Sequence, residues 1–273
     1  MTTLMHDCLL SIIIVNWNTC DLLRDCLSSL LDDPQPGYEL IVVDNGSSDD
    51  SACMIRHEFP AIQLIENGQN DGYARANNLG IRSSRGRYLL LLNSDTLVPA
   101  GALPRLIDFM EQHPEAGACG PRLVRADGKP QSYAFGGDPT LGYLLRRGVS
   151  QLLLRRPLHD WAMGATLPVD WVSGACLLAR RAAVEQAGLL DERFFMYFED
   201  NDWCLRIRKA GWNVYYCPAA EIMHLGGQSL ARNPQAQHAY YQSLAYFYAK
   251  HYSSPARWLL KALLPAYRMA SRR

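Results

Sequence analysis

A chain of 273 residues can bury a full hydrophobic core, as one large α/β domain or two small ones. Its 27 Lys+Arg balance 27 Asp+Glu, so it lacks the global basic field that gathers nucleic acid, and no nucleic-acid partner is expected. No apolar run reaches bilayer-spanning length, and the first one, residues 9–15, lacks a signal peptide's positive flank and small-residue cleavage site. A soluble or peripheral protein is expected. The eight cysteines show no CxxC pair or finger-like spacing, and several sit in apolar runs as small hydrophobes. They read as reduced thiols of a cytoplasmic protein.

Residues 9–15 predict a buried strand that ends in the polar cluster Asn16-Trp17-Asn18-Thr19. Leu22, Leu23, Cys26, Leu27, Leu30 and Leu31 then recur at helical spacing, with Asn18 or Thr19 as N-cap, until Pro34-Gln35-Pro36-Gly37 breaks the helix. A second strand, residues 38–43, ends at Asp44-Asn45-Gly46. Strand, helix and strand in this order imply a parallel sheet with right-handed crossovers. The unit repeats, with a short helix to His57, a strand over residues 62–65, a polar loop from Asn67 to Asp71 and a helix through Tyr73 and Asn78.

The run Tyr88 to Leu92 is apolar without a break and stops at Asn93-Ser94-Asp95, as suits a strand buried on both faces. Its tip then lies at the carboxyl edge of the sheet, where open α/β folds bind ligands. Asp95 there suits a hard cation and, through it, a diphosphate; the alternative is a cap on a helix begun by Pro99 and Ala100. GxGxxG and P-loop motifs are both absent. Asp44, Asn70 and Asp95 instead stand at successive strand ends, which favours a site over chance.

Residues 103–110 suit a helix and residues 117–124 a strand. Residues 125–168, rich in Gly, Pro and Arg and including Arg146-Arg147 and Arg155-Arg156, fit a flap, a membrane-facing patch or an ordinary insertion. Residues 169–178 predict one strand in which Ser173-Gly174 allow close backbone approach.

The segment FFMYFEDNDW, residues 194–203, sets three carboxylates among aromatics. Glu199, Asp200 and Asp202 complement the N-terminus of a helix that ends at Gly211, or they form a sugar-binding wall around a general base. Residues 214–217 predict a strand, and His224 precedes Gly226-Gly227 as a structural histidine or a metal ligand. No acidic residue follows Glu221, whereas Arg232, Lys250, Arg257, Lys261, Arg268, Arg272 and Arg273 do. Residues 235–252 are helix-like and tyrosine-rich; Trp258, Leu259, Leu260, Leu263, Leu264 and Tyr267 follow, with Pro265 expected to kink the helix. A basic face beside an apolar one describes an interfacial helix on anionic membrane, or a helix packed on the domain.

In this order, SIIIVNWNT, IVVDNGSSD, NDGYARANNLGI, LLLLNSD, VSGACLLARR, FFMYFEDNDWCLRIRKAGW and MHLGG resemble the family 2 glycosyltransferases over roughly residues 9–227. Within the family the chain is most similar to the bacterial branch that includes rhamnosyltransferases of cell-envelope polysaccharide assembly. The resemblance implies a GT-A fold, an α/β Rossmann-like, mostly parallel sheet flanked by helices, with a C-terminal helical extension. Residues 1–227 would be the catalytic domain, with 1–98 the nucleotide-binding half and 99–227 the acceptor half; 228–273 would be the extension.

The activity implied is inverting transfer from a nucleoside-diphosphate sugar, L-rhamnose among the candidates, to a glycan or lipid-linked acceptor. The enzyme would be cytoplasmic and peripheral on the inner membrane face, with Mg²⁺ or Mn²⁺ as cofactor. Asp44 would contact the donor's base, joined on the donor side by Asn16, Asn70, Gly72, Arg75 and Asn93. Asp95 and His224 would hold the cation and Asp200 would be the base, with Gly174, Glu199 and Trp203 on the acceptor side. Asn93 departs from the family's DxD pattern, and an amide is a weaker ligand for a hard cation than a carboxylate. A non-catalytic glycan-binding or scaffold member and a sugar nucleotidyltransferase are the alternatives.

Overall fold

The computed structural model describes residues 8–150, 157–226 and 236–270. Arg155-Arg156, Gly227, Arg232, Arg272 and Arg273 lie outside them, as do the side chains of residues 265–270, including Pro265, Tyr267 and Arg268.

The β-branched run of β1 (Leu10–Asn16) is almost wholly buried because it lies mid-sheet between β2 (Tyr38–Asp44) and β4 (Tyr88–Asn93), parallel to both. β3 (Gln63–Glu66) extends β2 in parallel. The crossovers are α1 (Cys20–Leu31), α2 (Ser51–Glu58) and α3 (Tyr73–Ser83). α1 turns Leu23, Cys26, Leu27 and Leu30 into the core. On α3, a Cβ at Gly80 would come within 2.4 Å of Ile13 Cγ2, so glycine is what lets this helix lie close against β1.

Past β4 the parallel order ends. β10 (Cys176–Arg180) runs antiparallel between β4 and β6 (Ala116–Val124), and β11 (Asn213–His224) follows parallel to β6. The short β5 (Thr96–Leu97) and β8 (Leu167–Pro168) both pair antiparallel with β11, giving a mixed sheet of nine strands among the described residues. α4 (Ala102–Gln112) packs on β6 and β11. Because β10 is reversed, its amino end and the carboxyl ends of β1, β2, β3, β4, β6 and β11 share one edge. One continuous core joins both halves of the sheet.

Several local expectations are corrected. The strand predicted at residues 169–178 is two, β9 (Trp171–Val172) and β10, separated by Ser173-Gly174-Ala175; β9 pairs with β7 (Phe135–Gly136) in a small second sheet. The strand predicted at residues 214–217 is the 12-residue β11, which takes up an irregularity between Cys217 and Glu221 and continues to His224. The 125–168 stretch contains α5 (Leu141–Val149), and α6 (Arg181–Ala187) follows β10.

The aromatics before α7 (Glu199–Lys209) do not face a sugar. Phe194 and Phe198 are buried in a second core against Leu244, Phe247 and Tyr248 of α8 (Ala236–His251) and Leu260 of α9 (Ser254–Ala270). Each such ring removes about 1.5–3 kcal/mol worth of apolar surface from water. The tail is therefore packed on the domain, the second of the two arrangements the sequence allows.

Candidate active site

The shared sheet edge collects the polar strand ends. Asn16, fully buried, donates to Asp44 Oδ1 and to Ser47 Oγ, both at 3.1 Å, and Asp44 Oδ2 accepts from the Ser47 N–H at 3.0 Å. Asn16 Oδ1 accepts from Thr19 Oγ1 at 2.6 Å, and that hydroxyl lies 2.8 Å from Ser94 Oγ. One chain of hydrogen bonds thus runs from the Asp44 loop to the Asn93-Ser94-Asp95 tip and fixes their spacing.

Asn70 holds a turn: its Oδ1 accepts from Asn45 Nδ2 at 3.0 Å and from the Gly72 N–H at 3.1 Å. Gly72 sits at φ +88°, where a Cβ would come 2.5 Å from the Phe195 carbonyl oxygen, so no other residue fits. Arg75 is half exposed and 3.5 Å from the Asp71 carboxylate.

Asp95 does not cap a helix. β5 intervenes, and α4 begins seven residues later after Gly101, without a side-chain cap. Asp95 Oδ1 instead lies 3.0 Å from His224 Nε2, both residues buried. Asn93 Nδ2 is 3.2 Å from the same ring nitrogen, while His224 Nδ1 lies 2.8 Å from Gln131 Oε1. A carboxylate oxygen and an imidazole nitrogen 3.0 Å apart match adjacent ligand positions on a cation bound at roughly 2.1 Å. The donor set fits a divalent ion as a half-site. Among the described residues no three His, Cys, Asp or Glu side chains converge.

The three acids at the start of α7 have three different environments. Tyr197 and Phe198, immediately before it, both have positive φ (68° and 67°), a strained pair held by packing against the tail. Asp202 is fully buried and accepts from Arg206 at 2.8 Å, Lys250 at 2.7 Å and His251 at 2.6 Å; it anchors α8. Burial raises its pKa, but the Arg206 charge and the Lys250 and His251 hydrogen bonds outweigh this and hold the carboxyl below the usual range.

Asp200 is only partly buried and accepts from the Gly174 N–H at 3.0 Å and the Asn201 N–H at 2.8 Å. Burial lifts its pKa above the usual carboxylate range against these donors, which suits a general base. Glu199 is buried, and its Oε2 has no hydrogen-bond partner among the described residues. Burial and then the Asp200 charge push its pKa well up.

Trp203, expected on the acceptor surface, is 0 % exposed in the main core, its indole N–H donating to the Gly188 carbonyl at 2.8 Å. It supports the helix and cannot touch an acceptor. Gly174 is not a close-approach glycine either: a Cβ there would make ordinary contact, 3.4 Å from Tyr73 Cε1. What it supplies is backbone, its N–H to Asp200 and its carbonyl to the Tyr73 hydroxyl at 2.7 Å. Tyr73 and Gln131 are site residues that sequence reading missed. Their partners lie 101 and 93 positions away, and no local pattern announces them.

A mixed sheet of this order, with polar strand ends at one edge, is the GT-A arrangement. The chain aligns with 96% of itself, at TM-score 0.61 and 19% identity, to 69% of a mannosyltransferase from Pyrobaculum calidifontis solved in complex with GDP-Man and Mn²⁺. Residues 11–148 match the model of glycosyl transferase family 2, and residues 88–269 that of glycosyl transferase family group 2; the chain belongs to family 2 and is a glycosyltransferase. It is 31% identical to the N-acetylglucosaminyl-diphospho-decaprenol L-rhamnosyltransferase of Mycobacterium tuberculosis, across 93% of this chain and 90% of that one. To the rhamnosyltransferase WbbL of Escherichia coli it is 28% identical over 78% and 82% of the two chains.

Proposed function

We propose that the enzyme moves a sugar, L-rhamnose in the leading reading, from a nucleoside-diphosphate donor to a lipid-linked or glycan acceptor of cell-envelope polysaccharide, with inversion. The relatives' names support the sugar and the acceptor class. One observation carries the mechanism. The Ala175 carbonyl accepts the Asn93 N–H at 3.0 Å, and the neighbouring Gly174 N–H bonds Asp200 at 3.0 Å. A single dipeptide thus ties the diphosphate-side tip to the proposed base.

In the displacement, the acceptor oxygen bonds to the anomeric carbon as Asp200 takes its proton. The bond from that carbon to the phosphate oxygen breaks, and its electron pair leaves with the nucleoside diphosphate. A divalent cation, Mg²⁺ or Mn²⁺, held by Asp95 and His224 would neutralise the charge on that leaving group. Asp44, positioned by Asn16, offers its remaining lone pairs to the nucleobase, and the Asn70–Gly72 turn with Arg75 borders the donor. Gly174 and Glu199 border the acceptor, within a catalytic unit of residues 1–227 whose halves are 1–98 and 99–227.

Residues 228–273 form the extension, and its outer face suits a peripheral seat on anionic lipid at the cytoplasmic surface. Leu260 and Leu264 of α9 turn into the second core, whereas Trp258 (71 % exposed), Leu259 and Leu263 face out beside Lys261. The adjacent α5 adds Leu145 (67 % exposed), Val149 and Arg146. Among the described residues no helix is long and apolar enough to cross a membrane.

The test is a panel of nucleoside-diphosphate sugars, L-rhamnose donors included, incubated with Mn²⁺ and a polyprenyl-diphosphate-linked sugar. Release of nucleoside diphosphate and an inverted anomer in the product's NMR spectrum are expected. Pyrophosphate release would make it a nucleotidyltransferase. Donor binding without turnover across the panel would make it a non-catalytic member.

A further inference from the structure

We propose that Gln131 is a positioning residue that holds His224 in the tautomer protonated on Nδ1, so that the Nε2 lone pair faces Asp95. The inference rests on reading Asp95 and His224 as the cation's protein ligands.

Local structure delivers Gln131 to this place. After β6 the chain reverses in a tight turn, with the Gly128 N–H on the Arg125 carbonyl at 2.8 Å and the Arg125 N–H on the Lys129 carbonyl at 2.9 Å. Pro130 then bridges to Val124, and the Gln131 N–H donates to the Leu123 carbonyl at 2.8 Å. Since Val124 lies opposite Met223 on the parallel β11, the doubled-back chain sets the Gln131 side chain beside His224.

Two independent amides agree on the tautomer. Gln131 Oε1, 2.8 Å from Nδ1, is an acceptor and requires a proton there. Asn93 Nδ2, 3.2 Å from Nε2, is a donor and favours a lone pair there, whereas the Asp95 carboxylate, 3.0 Å from the same nitrogen, favours a proton until a cation replaces it. The opposite tautomer would need both amides to turn over. With Nδ1 protonated, the Nε2 lone pair and Asp95 Oδ1 converge at 3.0 Å, an arrangement that repels until a positive charge lies between them. Metal-bound histidines are generally oriented through their second nitrogen in this way. Nε2 has one lone pair, so the Asn93 bond to it and a cation there are alternatives, and Asn93 has to release that bond when the ion binds.

The test uses the full chain labelled with ¹⁵N-histidine, at a pH above the histidine titration, with Mn²⁺ alone as probe. Wild type should show His224 protonated on Nδ1, and its signal should broaden as Mn²⁺ is added. Gln131→Met, of similar shape without the acceptor, should lose the tautomer preference and raise the Mn²⁺ midpoint by about 10–100-fold at an unchanged melting temperature. Gln131→Glu, which restores an acceptor, should return both to wild type. A wild-type His224 protonated on Nε2 alone overturns the inference without any variant, as does a Gln131→Met protein with wild-type tautomer and midpoint. If the tautomer follows Gln131 while Mn²⁺ broadens His224 in no variant, the positioning role stands and the cation reading falls.

Discussion

The Gly174 N–H donates to Asp200 Oδ2 at 3.0 Å, across 26 residues of sequence, and makes the loop between β9 and β10 the joint of the proposed site. The same residue's carbonyl accepts the Tyr73 hydroxyl, and the next carbonyl accepts the Asn93 N–H. α3, the Asn93-Ser94-Asp95 tip and Asp200 are thus fixed to one another through backbone groups. Such preorganisation lets a site bind a transition state without reorganising.

Asp200→Asn keeps the size of the side chain and its acceptor toward Gly174 but cannot take a proton. Transfer should fall by about 10²–10⁴-fold while donor affinity and melting temperature stay near wild type. The acid limb of the wild-type pH–rate profile should lie above about 4, the ordinary carboxylate value, because burial raises this group. Steady-state rates, donor titration and melting on one preparation check it; wild-type turnover in the mutant would reassign the base.

Asp95→Ala and His224→Ala should each weaken Mn²⁺-dependent donor binding and leave the fold intact, because both lie at the sheet edge rather than in the core. EDTA should stop turnover, and Mn²⁺ should restore it. Calorimetric titration of nucleoside diphosphate with and without Mn²⁺ is the measurement, and donor turnover indifferent to EDTA would remove the cation from the mechanism.

Asp202 gives the opposite pattern from Asp200. Asp202→Ala removes a fully buried carboxylate from half-buried Arg206, Lys250 and His251, of which Lys250 keeps Asp191 and Arg206 keeps the Ala187 and Gly188 carbonyls. It should cost about 1.5–3 kcal/mol, a fall in Tm of several degrees. Acid should act in the same direction. Asp202 and Asp191 have folded pKa values below their unfolded ones, so their stabilisation is present above about 4 and lost as pH falls through the folded values. His251 is also depressed, chiefly by burial, so stability begins to fall earlier, below about 6.5, where the unfolded chain takes that proton first. Tm measured from pH 8 to pH 3 should decline in two stages, and His251→Gln should flatten the first.

The outer face of α9 predicts lipid binding separable from folding. Replacing Trp258, Leu259 and Leu263 together by Ser removes exposed apolar groups only, so Tm should move little while co-sedimentation with anionic vesicles is lost. Lys261→Glu should weaken the remainder through charge, by roughly 1 kcal/mol per lost cation and more for a reversal. Unchanged sedimentation in the triple variant would rule the surface out.

The sequence by itself determined the repeating strand–helix order, the buried central strands and the polar tips Asn16, Asp44 and Asp95, because apolar period and turn chemistry are local properties. With the ordered motifs it also determined the family. What local pattern left open was partnership. Three acids in four residues look equivalent in sequence, yet one anchors the tail, one bonds Gly174 and one is buried with an oxygen that has no hydrogen-bond partner among the described residues. Phe194 and Phe198 beside them face α8, and Trp203 lies in the core, since burial depends on what packs from a distant segment. β10 runs antiparallel, and only that reversal brings Gly174 to the edge where Asp95 and His224 lie. Gln131 reaches His224 only because parallel β6 and β11 end side by side. Contacts between residues about a hundred positions apart are settled by the topology of the sheet, and a periodicity read over a dozen residues carries no trace of them.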